Sequence, residues 1–237
     1  MHIGKGILAA GLAAGLALGA STAEGAEVIA QWDFNDLDNQ FEPSIGAGVL
    51  DNVNTSWGSP ADDGSPNDPG VPNNRNRLSS WNMGDPIPDK SRGWQISVDT
   101  SGMSDIVVWW DTAYSSSSLS RYWTVQYSID GENFIDYDLI EREIGSSSGS
   151  TWVTHIYDLS EVAGVSDNSD FAFRVMSTMK PGTNEFEGIS GSVTTSSGAQ
   201  LYLDLITVQG VPEPASLALV GAGGMMLLLR RRSASTK

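Results

Sequence analysis

The chain has 237 residues, no cysteine, two histidines and a formal net charge of −16. The lack of cysteine excludes disulfide staples, thiol catalysis and zinc–cysteine sites. So large an acidic excess excludes recognition of a nucleic-acid backbone, which needs a basic face, while it favours solubility and attracts divalent cations.

In chain order, residues 1–26 come first and read as a secretory signal peptide. Lys5 supplies a positive start, and the 14 residues from Ile7 to Ala20 are all Ile, Leu, Ala or Gly. That length suits a signal-peptide core and falls short of a membrane span. Small residues at Ser21, Ala23, Gly25 and Ala26 put cleavage between Ala23 and Ala26, with Ser21 and Ala23 fitting the small-x-small rule.

Residues 27–210 carry the alternation of strands rather than of helices. Val28, Ala30, Trp32 and Phe34 alternate with neutral or polar partners. A long stretch rich in Pro, Asn, Asp and Gly follows from Asn54 to Asp89 and reads as an irregular loop. Trp94–Val98 alternates, Ile106–Trp110 is a continuous apolar run, and Trp123–Ile129 alternates again. Asp130-Gly131 predicts a tight turn into a return strand, Phe134–Ile140. Trp152–Tyr157, Phe171–Val175 and Leu201–Val208 complete eight or nine strands, with one helical turn expected near Leu159–Ala163. An all-β chain of this size buries one face of each sheet against another, so a single β-sandwich of jelly-roll type is expected.

Residues 211–237 form a tail in three parts: Pro212-Glu213-Pro214, the 13 apolar or glycine residues Leu217–Leu229, and Arg230, Arg231 and Arg232. A helix over 217–229 would be about 20 Å long. The bilayer core is about 30 Å thick, so this is a marginal anchor, with its arginines on the cytoplasmic side. This order resembles the PEP-CTERM sorting signal. The resemblance implies recognition and processing by a membrane-embedded exosortase-type enzyme. It also implies a precursor anchored in the inner membrane and a mature protein at the cell surface or outside the cell.

Candidate sites are few. His155 is the one histidine between 27 and 210 and shares a strand face with Val153 and Tyr157, which favours a structural role. There is no His-Glu-x-x-His and no Gly-x-Ser-x-Gly. Trp57 and Trp81 lie in irregular polar sequence near Arg75 and Arg77, a set that suits stacking and hydrogen bonding to a sugar. Asp62, Asp63, Asn67 and Asp68 form an acidic cluster without the spacing of an EF-hand. The Tyr127–Phe134 hairpin and the Leu203–Val208 strand resemble those of bacterial surface jelly rolls, some of them carbohydrate-binding. That resemblance implies a structural calcium between the first and last strands, at Asp33, Asn35, Asp36 and Asp204.

The expected function is a non-catalytic surface or extracellular-matrix protein that touches exopolysaccharide. The alternatives are a carbohydrate-active enzyme, which needs two carboxylates facing a groove, and a structural or adhesive protein stabilised by calcium.

Overall fold

The computed structural model describes residues 25–81, 87–143, 151–192 and 198–213. Most of the signal peptide lies outside the described residues, as do Pro214, the 217–229 segment and Arg230, Arg231 and Arg232. Thirteen strands follow one another: β1 Glu27–Trp32, β2 Ile45–Gly46, β3 Val49–Val53, β4 Ser56–Trp57, β5 Ala61–Asp62, β6 Asn74–Ser79, β7 Gly93–Ser97, β8 Met103–Tyr114, β9 Tyr122–Ser128, β10 Ile135–Glu141, β11 Val153–Asp158, β12 Ala172–Thr178 and β13 Leu201–Pro212. Among the described residues there is no helix; the turn expected near Leu159 is made instead by single hydrogen bonds, Val162 N to Leu159 O and Val165 N to Val162 O.

The strands form two antiparallel sheets. The first has the order β11-β8-β13-β1-β2, with β6 pairing the start of β13 and carrying β4 and β5; the second has the order β10-β9-β12-β7-β3. From β7 to β9 and from β10 to β13 the chain crosses between sheets at each step. One face of each sheet therefore needs a partner, and the core lies between them. Trp94 of the second sheet meets Trp110 of the first edge-on at 5.2 Å, and Phe173 meets the same ring at 5.7 Å. Trp32, Trp81, Trp94 and Trp110 are all buried. At about 25 cal/mol per Å² of apolar surface, these indoles dominate the burial that opposes chain entropy. Every strand pairing and every core residue named here lies within the compact unit Gly25–Glu213, which thus carries a core of its own.

The alternating segments became strands near their expected limits, and the Asp130-Gly131 turn closes the β9–β10 hairpin. Gly131 has φ of +72°, and the Asp130 carboxylate accepts the amides of Glu132 and Asn133 at 3.0 and 2.7 Å. The stretch Asn54–Asp89 departs from expectation, because it contains β4, β5 and β6. In β6 the residues alternate buried and half-buried, but two of the three buried positions are Asn74 and Asn76. A strand that turns asparagines inward leaves no apolar period to read.

The last strand also differs from expectation. β13 runs past residue 210 to Pro212, which pairs with Met103, and the Glu213 amide bonds Gly102 O at 2.8 Å. Midway it is irregular: the register shifts between Asp204 and Thr207, and Leu205 has φ of +49°. On one edge β6 pairs Leu201–Leu203 and β1 pairs Ile206–Gly210, so Asp204 sits where the flanking strand changes.

Candidate functional site

The inner strands of the second sheet, β7, β9 and β12, put large apolar residues inward and small or polar ones outward. Trp94 and Ile96 point into the core with Gln95 between them; Val125 and Tyr127 flank Gln126, and Phe173 and Val175 flank Arg174. Register aligns these outward residues into one row across five strands: Asp51 opposite Gln95, Gln95 opposite Arg174, Arg174 opposite Gln126, and Gln126 opposite Asp136. The row is wired together. Arg174 Nε donates to Gln126 Oε1 at 2.6 Å, and Gln126 Nε2 donates to Asp136 Oδ1 at 2.6 Å. The Arg174 guanidinium also lies 3.7 Å from the centre of the Phe134 ring.

At the β10 end of this row a groove of about 610 Å³ opens, with Thr124, Asp136, Leu139 and Thr178 on its sheet side. Its walls are two loops. Asp89 accepts Thr178 Oγ1 and the Met179 amide, both at 2.7 Å, and Lys90 forms an ion pair with Asp136. On the other side a turn closes through Lys180 N to Glu185 O at 2.9 Å and Thr183 N to Lys180 O at 3.0 Å. Glu187 anchors that turn by bonding Lys180 Nζ at 2.6 Å and Arg121 Nη1 at 2.5 Å, and the two cations hold its carboxyl below the usual range. Hydroxyl, carboxylate, ammonium and amide groups thus share the groove with the aliphatic surfaces of Leu139, Met179 and Pro181.

The residues singled out in the sequence separate into different places. Trp81 is fully buried, donates Nε1 to Leu78 O at 3.0 Å and meets Trp123 edge-on at 5.0 Å, so it offers no face to a ligand. Trp57 is half-buried and packs on Phe41 and Phe34 at 5.5 and 6.5 Å, which fastens β4 to the sheet. Arg75 lies 3.9 Å over the Tyr202 ring and Arg77 bonds through its backbone to Gly58, both on β6. His155 stacks on Trp110 at 5.0 Å; burial, and then the nearby Arg142 charge, push it down to about 4, so it is neutral at pH 7.

The four positions expected for calcium do not converge. Asp33 and Asp36 line a separate surface cleft, where Asp36 caps the amide of Asp38 and the side chain of Asn39. Asn35 reaches the other way, donating to Asp68 Oδ2 at 2.7 Å. Asp204 is fully buried beside Asp111, also fully buried, and burial, together with the Asp68 and Asp111 charges, pushes its carboxyl up to about 8. The Ser65 amide donates to Asp204 Oδ2 at 2.6 Å, and Thr154 Oγ1, Asn67 Nδ2 and the Ser65 hydroxyl all donate to Asp111. Among the described residues no three His, Cys, Asp or Glu side chains are placed to hold a metal ion. One further oxygen is present: Asn73 Oδ1 is buried with no hydrogen-bond partner. It faces the same small space as Asp204 Oδ2, because a Cβ on Gly64 would lie 1.7 Å from the first and 2.7 Å from the second. Calcium takes about six to eight oxygens, so these two make up only part of a coordination shell. Sequence reasoning reached Asp204 through the resemblance to bacterial surface jelly rolls; it missed Asn73 and Asp111, which only the fold brings near.

A scan against protein-family models gives no match. A search of curated proteins gives none either. Among solved structures, the chain is similar to the CBM22-2 xylan-binding domain from Paenibacillus barcinonensis Xyn10C at 11% identity and a TM-score of 0.47, covering 76% of this chain and 98% of that one. It is similar to TmCBM27, a carbohydrate-binding module that recognises mannan, at 11% identity and a TM-score of 0.42, covering 78% and 98%. It is also similar to the K1 adhesin domain of Lys-gingipain from Porphyromonas gingivalis at 12% identity and a TM-score of 0.36, covering 70% and 99%. A likeness this distant transfers no binding site.

Proposed function

We propose that this chain is an exported, non-catalytic polysaccharide-binding β-sandwich of the cell surface or extracellular matrix, with the outer face of its second sheet as the binding surface. The observation that supports this most is the polar row of Gln95, Arg174, Gln126 and Asp136 leading into the 610 Å³ groove. A sugar ring has a rim of hydroxyls and apolar C–H faces. A groove that mixes fixed donors and acceptors with aliphatic side chains matches both. The groove carboxylates Asp89, Asp136 and Asp138 are each held by donors, which suits binding more than acid–base chemistry. The tail at 212–232 is then the address, read by an exosortase-type enzyme. Calcium, when bound, would sit at Asp204 and Asn73 and steady the middle of β13.

The test is a binding screen of the Gly25–Glu213 unit against neutral polysaccharides and the producer's own matrix. Lys90→Ala and Asn184→Ala, both on the groove walls, should each weaken saturable binding about tenfold, the loss of one or two hydrogen bonds to a ligand. Unaltered affinity in both variants would remove the groove from the account. Failure to bind any polysaccharide would leave a structural or adhesive protein.

A further inference from the structure

A second cleft, of about 420 Å³, lies between the edges of the two sheets, where β10 and β11 face each other. Arg142 stands at its base, only 9% exposed. Its backbone is fixed by Arg121, with Arg142 N to Arg121 O at 3.0 Å and Arg121 Nε to Arg142 O at 2.9 Å. Its guanidinium, in contrast, is poorly provided for. Nε is buried with no hydrogen-bond partner, and Nη2 reaches Thr112 Oγ1 only at 3.4 Å. No described carboxylate forms an ion pair with it. The Tyr114 ring, 4.9 Å away, supplies partial compensation. Arg121, Lys90 and Lys180, in contrast, each meet a carboxylate.

A buried guanidinium without a counter-charge is costly, and its planar fork matches a carboxylate bidentately. The surroundings also set the size and shape of what could enter. Ile140 and Val153 give the cleft aliphatic walls, and the neutral His155 ring offers a further hydrogen-bonding edge. Two acidic residues stand at the mouth. Glu141 is paired with Arg121, and Glu143 is exposed, where solvent screens its charge. We propose that this cleft binds the carboxylate of a uronic-acid sugar, with Arg142 as the anchor. The site shares strand β10 with the groove but is lined by other residues, Ile140 and Glu141 rather than Asp136–Leu139, and stands whether or not the groove binds polysaccharide.

His155 is the only histidine of the Gly25–Glu213 unit, so its imidazole proton resonance reports on the cleft without assignment. Glucuronate titrated into that unit, and into the full chain, should shift this resonance saturably, while glucose at the same concentrations should not. Arg142→Lys keeps the charge but loses the fork and should weaken binding at least tenfold. Val153→Trp fills the mouth from an exposed position without touching Arg142, and should abolish the shift in a folded protein even if the Arg142 variant is unstable. Equal response to glucose and glucuronate, no response to glucuronate, or glucuronate binding that survives Val153→Trp would each overturn the proposal. Acetate binding as tightly as glucuronate would overturn the sugar and leave a bare anion site.

Discussion

At the scale of single residues, Asp204 and His155 show what burial does to a titratable group. Asp204 is fully enclosed with Asp111 and Asp68 nearby and, among the described residues, no cationic side chain paired to it. With its carboxyl pushed up to about 8 the neutral acid prevails at pH 7, and both oxygens accept amides, from Ser65 and Leu205; Asp204→Asn turns one acceptor into a donor, so without calcium it should lower the melting temperature by a few degrees. If calcium sits there, the wild type should gain stability on adding the ion and the variant should not; thermal unfolding with calcium and with chelator reads both. His155 has a folded pKa near 4 against 6.5 when unfolded. The folded state therefore binds fewer protons, and the stability this contributes is complete above pH 6.5 and lost as pH falls through 4. The loss should reach about 3 kcal/mol. His155→Phe keeps a ring on Trp110 and should flatten that part of the urea-unfolding profile between pH 7 and 4; an unchanged profile would contradict the assignment to this residue.

At the scale of elements, legibility followed the apolar period. β7, β9, β12 and much of β13 were plain in the sequence because large apolar residues fall at every second place. β6 was hidden because Asn74 and Asn76 point inward: Asn74 Nδ2 is buried with no hydrogen-bond partner, while Asn76 finds partners that sequence does not reveal. Asn76 donates Nδ2 to Gln40 Oε1 at 3.1 Å and accepts the Arg77 amide at 2.7 Å. Asn76→Ala should therefore cost about 1–3 kcal/mol of unfolding free energy, through the buried amide left unpaired. The polar row on the second sheet was hidden for another reason. Gln95, Gln126 and Arg174 each look like an ordinary solvent-facing residue, and only strand register, set by contacts far apart in sequence, joins them. Trp57 and Trp81 carried the opposite risk: irregular sequence suggested exposure, while aromatic packing decided for Phe41 and Trp123.

At the scale of the whole molecule, every described strand and core residue of the sandwich lies within Gly25–Glu213. Deleting residues 217–237 should leave the melting temperature within about 1 °C of the longer chain, since no described strand or core residue is removed. The same deletion should misdirect the protein in the producing cell, which fractionation would detect. A large drop in melting temperature would mean that the tail also supports the fold.

The place of β13 bears on the order of events during synthesis. It comes after every other described strand in the chain, yet it lies inside the first sheet, between β8 on one edge and β6 and β1 on the other. A chain emerging N-terminus first therefore presents three unjoined pieces of the first sheet, β11 with β8, β1 with β2, and β6 with β4 and β5, until Leu201 and the residues after it appear. Pairing Glu27 with Gly210 spans nearly the whole domain, a separation that slows closure. The first sheet is thus kept open for almost the full length of the Gly25–Glu213 unit. It closes only when β13, the last of the described strands, arrives.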